Sequence, residues 1–312
     1  MVVRDGVRRS RRGSRQVPLV SPASGACVVS FRLAVLSDLH IDREADRDSW
    51  ELAAEAFAAV ARHGPDHTVI AGDTFDSASA LERDCERVER RLRRDGLWHR
   101  DRLSVIVGNH DIFHTPHRGS PWHRARELAR SVTADAQESY DLFTEWIADL
   151  VPRRARFWPD DPFPFCKDLG DLGLLGADTT GSDTAHSVNG YWRNREDAAA
   201  RRIATGKRRV LAVHHPPERD DERTVVGQLV KGYAFGFPDN DFDRLQDFAE
   251  DVALDVIACG HIHVGGERSW TVARRTRVFR AGETGGVHGA IPSFLMLEIP
   301  RRGAVRCRRV RI

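Results

Sequence analysis

The sequence predicts an α/β fold with parallel strands, on two observations. Short apolar runs alternate with segments of helical periodicity, and five of those runs stop abruptly at residues of the kind that bind metal ions. Composition agrees with this. At 312 residues, 41% hydrophobic and 30% charged, the chain can bury the core of one large α/β domain or two small ones, and it is too apolar to be disordered.

The first run, Leu33–His40 (LAVLSDLH), ends in Asp38 and His40. Residues two apart on an extended segment face the same side, so the spacing predicts that both side chains meet a common cation while Leu39 returns to the core. Trp50–Ala61 has the periodicity of a helix covering that strand. His67–Asp76 (HTVIAGDTFD) repeats the pattern, with Gly72 allowing a tight strand end, Asp73 placed to bridge two cations, and Asp76 suited to a cap or a supporting contact. Leu81–Leu97 reads as a solvated helix with one buried stripe. Leu103–Asp111 (LSVIVGNHD) then delivers Asn109, His110 and Asp111. Because functional groups gather at the carboxyl ends of parallel strands, these clusters should converge in space.

Residues 112–151 break the alternation with a loop bearing His114, His117, Arg118, Trp122 and His123, followed by a long helical pattern. An insertion directly after a ligand loop suits a wall of the active site, and His114, His117 and Arg118 are candidate substrate contacts. Tyr140, Phe143 and Trp146 equally fit a packing helix. Phe163–Asp168 and Leu172–Ala177 read as a hairpin, and Asn194–Ala204 as a helix with an Asn cap. Arg209–Pro217 (RVLAVHHPP) is a fourth run ending in ligand-type residues, stopped by its prolines. One histidine of His214 and His215 could bind metal and the other support it. After a helix over Asp241–Ala253, Leu254–His263 closes the series with His261 and His263, presented from an extended turn; strands Thr276–Arg280, Ser293–Ile299 and Ala304–Ile312 finish the chain. Thr179, Tyr191, Lys231, Tyr233, Glu283, Thr284 and His288 are further cleft candidates, and the glycines around Glu283 and His288 would let backbone approach a substrate.

Together the clusters offer a mixed oxygen and nitrogen donor set without cysteine, suited to Mn, Fe or Zn and too rich in nitrogen for a Ca or Mg cage. Seven candidate ligands exceed the need of one tetrahedral ion. Two divalent ions roughly 3.5–4 Å apart, sharing Asp73, satisfy them, and such pairs clamp the attacking and leaving oxygens of a phosphoryl displacement.

These motifs, Asp38-Leu-His40, Gly72-Asp73-Thr-Phe-Asp76, Gly108-Asn-His-Asp111, His214-His-Pro-Pro217 and Gly260-His-Ile-His263, resemble those of the calcineurin-like metallophosphoesterase superfamily, in the family's order and over residues 33 to about 300. The resemblance implies a four-layer α-β-β-α sandwich with two mixed β-sheets and a binuclear metal site at the strands' carboxyl edge. It implies Asp38, His40 and His263 on one metal, Asn109, His214 and His261 on the other, and Asp73 between them. His214 is preferred because the family's ligand lies two residues before a proline, and Pro216 meets that condition. His110 matches the position that stabilises developing charge or protonates the leaving oxygen, with Asp111 orienting its ring. The implied reaction is in-line attack on phosphorus by a hydroxide held between the metals, on a phosphodiester or phosphomonoester.

Charge separates the substrate classes. The chain carries +2, but residues 1–30 hold six arginines against one aspartate and contribute +5, which leaves −3 for the body. A small molecule or nucleotide is therefore the expected substrate; a nuclease or nucleic-acid-end phosphatase, held through arginine-rich termini, is the alternative. Residues 1–29 read as a disordered basic tail without the sustained apolar stretch of a signal peptide, and 30–312 as the metallophosphoesterase domain. No run is long enough to span a membrane, and five scattered cysteines without C-x-x-C spacing suggest reduced thiols in the cytoplasm.

Overall fold

The structure, a computed structural model, describes residues 30–312 except 115–118, 132–135, 181–189, 193–206, 220–236, 264–267 and 287–290. The basic tail, the helix expected over Asn194–Ala204, and His117, Arg118, Lys231, Tyr233 and His288 thus lie outside the described residues.

Two mixed sheets flanked by helices form the expected α/β sandwich. The first has five strands, β1 (Ser30–Leu36), β2 (His67–Ala71), β3 (Leu103–Ile106), β10 (Ser293–Pro300) and β11 (Arg306–Arg311), in the order β11-β10-β1-β2-β3. The parallel trio β1, β2 and β3 continues into antiparallel β10 and β11. The second has six, β4 (Phe165–Asp168), β5 (Leu172–Gly176), β6 (Arg208–Ala212), β7 (Val256–Cys259), β8 (Arg268–Val272) and β9 (Thr276–Arg280), in the order β4-β5-β6-β7-β9-β8. Here β5, β6, β7 and β9 run parallel, with antiparallel β4 and β8 at the edges.

Strand alternation explains the uninterrupted apolar runs. Val210 and Ala212 of β6, with Val256 and Ala258 of β7, enter the core shared with Leu33 and Val35 of β1. Their neighbours Leu211, Val213, Ile257 and Cys259 enter a second core with Leu245 and Phe248 of helix α6 (Asp239–Asp251). A strand buried on both faces has no polar side to alternate.

Helices α1 (Arg47–His63) and α2 (Ala78–Arg94) pack on the first sheet's core through Ala53, Ala56, Phe57 and Val60, and through Leu81, Val88 and Leu92. Asp46 caps α1 by accepting the Asp48 N–H at 3.0 Å, and Gly64 ends it in the left-handed region. The short helix α3 (Asn109–Ile112) follows β3. In the 112–151 segment, α4 (Pro121–Ser131) precedes α5 (Ala136–Trp146), whose aromatics prove to be core: Trp146 meets Phe75 at 5.2 Å and Trp98 at 5.5 Å between ring centroids. Strand β8 is unannounced by the sequence because a five-residue edge strand with Arg268 and Ser269 has little periodicity to read. Among the described residues Cys85, Cys166, Cys259 and Cys307 are unbridged, and no helix is long and apolar enough to cross a membrane.

Candidate metal centre

The carboxyl ends of β1, β2, β3, β6 and β7 meet at one edge of the sandwich, and each delivers its polar cluster there. Strand β1 stops at Leu36, before the residues it was expected to present. Asp38 and His40 are not on extended backbone: both take the left-handed region, with φ of 54° and 46°, as do Asp73 at 49° and His261 at 75°. Alternation along a strand therefore does not align Asp38 with His40, nor does an extended turn present His261 and His263. Loop hydrogen bonds do so instead. Asp38 N–H donates to the Gly72 carbonyl and His40 N–H to the Asp73 carbonyl, both at 3.1 Å, so the β1–β2 pairing continues past the strand ends while Leu39 stays in the core.

Glycine makes the approach of the two sheets possible. A Cβ on Gly72 would lie 2.3 Å from His214 Nδ1, and one on Gly260 1.5 Å from Ser37 Oγ. His214 Nδ1 consequently reaches the Ala71 carbonyl of the other sheet at 2.9 Å.

Two groups of donors form around Asp73. In one, His40 Nε2 and His263 Nε2 are 3.0 Å apart, with Asp38 Oδ1 3.4 Å from His263 Nε2 and Asp73 Oδ2 3.8 Å from His40 Nε2. In the other, His214 Nε2 lies 3.1 Å from Asn109 Oδ1, 3.2 Å from Asp73 Oδ2 and 3.1 Å from His261 Nδ1. The Asp38 carboxylate accepts the His261 N–H at 3.1 Å, and Asp73 Oδ1 accepts the His110 N–H at 2.9 Å.

The donor set fits a cation. A carbonyl can only accept, so His214 Nδ1 carries a proton toward Ala71 and, in the neutral ring, Nε2 offers a lone pair. That lone pair faces a carboxylate oxygen, and Asp73 Oδ2 is buried without a hydrogen bond. Acceptors crowded together in this way need a positive charge among them. Burial pushes the His214 pKa down, but Asp73 and Asp38 outweigh that and raise it to about 9. Asp73 is correspondingly held well below the usual carboxylate range; burial opposes this, and His214, His110 and His40 prevail. Asp38, His40, Asp73 and His263 form one group able to hold a metal ion, and His214, His215 and His261 another.

The surrounding residues divide into supports and bystanders. Asp76 Oδ1 stands 3.3 Å from His40 Nδ1, and its carbonyl lies 3.0 Å from His110 Nδ1. Asp111 does not take the expected role of orienting the His110 ring. Its oxygens accept backbone N–H groups of Phe75 at 2.9 Å and Gly108 at 2.8 Å, tying the loops after β2 and β3 together. Burial, reinforced by Asp73, raises the Asp111 carboxyl to about 8, while burial lowers His110. Glu283 is fully buried; burial lowers the His263 pKa, but Asp38 and, after it, Glu283 outweigh that and raise it, and the Glu283 loop is fastened by Thr284 N–H to the Ser37 carbonyl and Gly285 N–H to the Asp38 carbonyl. His114 Nδ1 lies 2.9 Å from Ser79 Oγ and 3.5 Å from Glu127 Oε2. The hairpin reading of β4 and β5 hid a sixth contribution. The β5 run also ends in polar residues, Asp178 and Thr179, and Thr179 Oγ1 lies 2.9 Å from His215 Nδ1.

The fold is similar to that of the purple acid phosphatase PPD1 from yellow lupin (Lupinus luteus), with a TM-score of 0.56 and 12% identity over 91% of this chain and 52% of that one. The chain thus spans about half the length of the lupin enzyme. A dimetal phosphatase from Danio rerio matches with a TM-score of 0.50 and 12% identity over 90% of this chain and 98% of that one. No curated protein matches the sequence. The sequence match that accompanies these folds is to the calcineurin-like phosphoesterases over residues 31–265, most of the described body, and the chain belongs to that family of metal-dependent hydrolases of phosphoric esters.

Proposed function

We propose that Asp38, His40 and His263 hold one divalent transition-metal ion, that Asn109, His214 and His261 hold a second, and that Asp73 bridges the two. The observation that carries this is the Asp73–His214 contact at 3.2 Å, where a buried carboxylate oxygen and a ring nitrogen converge with Asn109 and His261. Contacts favour His214 over His215 as the ligand beside Asp73, because His214 Nε2 stands 3.2 Å from Asp73 Oδ2 and 3.1 Å from Asn109 Oδ1, whereas His215 Nδ1 is turned to Thr179. Mixed oxygen and imidazole donors suit Mn, Fe or Zn.

Bound ions would supply an activated water near neutral pH and electrostatic clamping of the phosphoryl oxygens. The chain's own residues then orient and protonate. With Nδ1–H directed to the Asp76 carbonyl, His110 can give a proton to the leaving oxygen only as an imidazolium, through Nε2. A phosphate ester bound beside it favours that cation and offsets the lowering by burial. Asp111 is a positioning residue that keeps Asn109 and His110 in register with Asp73. We further infer that residues 30–312 form the catalytic domain, with 112–151 as a helical insertion flanking the site.

The substrate we assign is a small-molecule or nucleotide phosphodiester or phosphomonoester, supported by the −3 charge of the body outside residues 1–30. A panel of cyclic nucleotides, phosphomonoesters, nucleoside diphosphate conjugates and single-stranded DNA, assayed with added Mn, tests this assignment. Hydrolysis of a small ester is expected. Single-stranded DNA as the best substrate would overturn it in favour of a nuclease, a reading for which the exposed Arg306, Arg308 and Arg311 of β11 would provide backbone contacts.

A further inference from the structure

His215 is left out of the ligand assignment above, yet one of its ring nitrogens is unaccounted for. Parallel pairing of β5 with β6 sets Gly176 beside Ala212, so the chain leaving β5 runs alongside the chain leaving β6. Thr179 meets His215 there twice: its Oγ1 accepts the His215 backbone N–H at 3.3 Å and lies 2.9 Å from ring Nδ1. Both residues are fully buried. The ring is therefore held from its Nδ1 side, while Nε2 is buried with no hydrogen-bond partner. Buried polar groups are nearly always satisfied, so an orphan of this kind calls for an explanation.

The neighbours of His215 supply one. Strand β6 ends at Ala212, and beyond it the opposite parities of His214 and His215 no longer separate them. The two rings flank His261, with centroids 4.9 Å and 4.4 Å from it and 4.9 Å from each other. One ring nitrogen from each of the three histidines lies within 4.8 Å of the others. Bonds of about 2.0–2.1 Å hold three imidazole nitrogens on one ion roughly 3.3–3.6 Å apart, so the rings must draw in by at most about 1.5 Å to close the triad.

We propose that His215, held at Nδ1 by Thr179, supplies a third imidazole to the Asn109/His214/His261 half of the centre, so that this half prefers nitrogen-seeking ions such as Zn, Co or Ni over Mn. The inference rests on the two-ion reading above and assigns its second half a further ligand. Imidazole-rich sites favour those ions, whereas the carboxylate-bearing half with Asp38 suits Mn as well. Thr179 is the positioning residue, because the group bound to a histidine's far nitrogen fixes both the tautomer and the ring orientation.

The test uses the full chain, stripped of metal and titrated with Co(II), with visible absorption reporting coordination and elemental analysis reporting ions per chain. His215→Ala is expected to weaken one of the two binding steps ~100-fold, to alter its absorption bands, and to reduce the Zn-over-Mn preference of that step. Thr179→Val is expected to weaken the same step ~10-fold, in line with losses of 10–100-fold on removing such supports. Should His215→Ala fail to fold, Thr179→Val decides alone. Unchanged midpoints and bands in whichever variant folds would overturn the inference. His214→Ala separates the two levels: if it loses the step while His215→Ala and Thr179→Val keep it, only the third imidazole is wrong. If His214→Ala also binds both ions with unchanged midpoints, the two-ion ligand set itself fails and this inference goes with it.

Discussion

Asp38, His40, Asp73 and His261 all hold left-handed backbone, a conformation that costs a non-glycine residue on the order of 1 kcal/mol or more and persists only where surrounding contacts impose it. Here the imposing contacts are the hydrogen bonds joining the loops after β1 and β2, together with the Asp38 carboxylate that receives the His261 N–H. The supporting residues should therefore matter to metal binding without touching the ion. Asp76→Asn, which weakens the support at His40 Nδ1, is expected to lower metal affinity ~10–100-fold while leaving the fold intact, as read by competition with a chelator. Gly72→Ala should act more severely. At φ 88°, with a Cβ aimed 2.3 Å from His214 Nδ1, it is expected to destabilise the protein by ~2 kcal/mol or more and displace His214, seen as a lower urea midpoint and reduced metal content. At this scale the candidate donors that folding brings together were legible in the motifs, but their backbone was not. An apolar run followed by Asp or His says that a strand ends, and only the tertiary hydrogen bonds decide that the chain then turns left-handed. The role expected of Asp111 failed for a related reason: adjacency to His110 suggested the ring, whereas two backbone N–H groups brought near by folding claimed the carboxylate.

Among the elements, α5 and β4 are the most informative. The aromatics of α5 could equally have walled the site or filled the core, since periodicity alone does not say what a buried stripe faces. Phe143 is fully buried and meets Trp146 edge-to-face, so Phe143→Ala is expected to cost about 3–5 kcal/mol of stability. A loss of activity at unchanged stability would instead place α5 at the substrate. Strand β4, at the edge of the second sheet, sends Lys167 across to β3, where Nζ donates to the Arg100 carbonyl at 2.9 Å and the Leu103 carbonyl at 2.6 Å. Burial lowers its pKa from 10.5 to about 7. Between those values the unfolded chain binds the extra proton, so this group makes folding stability rise as pH rises through the window. Urea unfolding at pH 7 and pH 9 should show a gain on the order of 1 kcal/mol in the wild type that Lys167→Met lacks. An equal pH dependence in both proteins would mean that the two carbonyls hold the ammonium charged across that range. Strands that end in ligand residues were the readable elements, because burial and chemistry coincide at their ends. Strand β8 was not, being short and polar at an edge.

For the whole molecule, the decisive arrangement is that two separate sheets present their carboxyl edges to one point. The residues alone predicted that parallel strand ends would converge, but they did not say that Asp38, Asp73 and Asn109 would come from one sheet and His214, His261 and His263 from another; the sandwich came from the family resemblance. Close approach across the interface depends on Gly72, whose place after a strand suggested only a tight strand end, and on Gly260. Asp73 lies at the centre of this assembly, near His40 on one side and His214 on the other. Metal content and phosphodiester hydrolysis, measured together on wild type and Asp73→Asn, therefore test the account most directly. Two transition-metal ions per wild-type chain with hydrolysis of bis(p-nitrophenyl) phosphate are expected, and in Asp73→Asn fewer than two ions with activity reduced ~100-fold or more. An Asp73→Asn protein that kept both ions and full activity would contradict it.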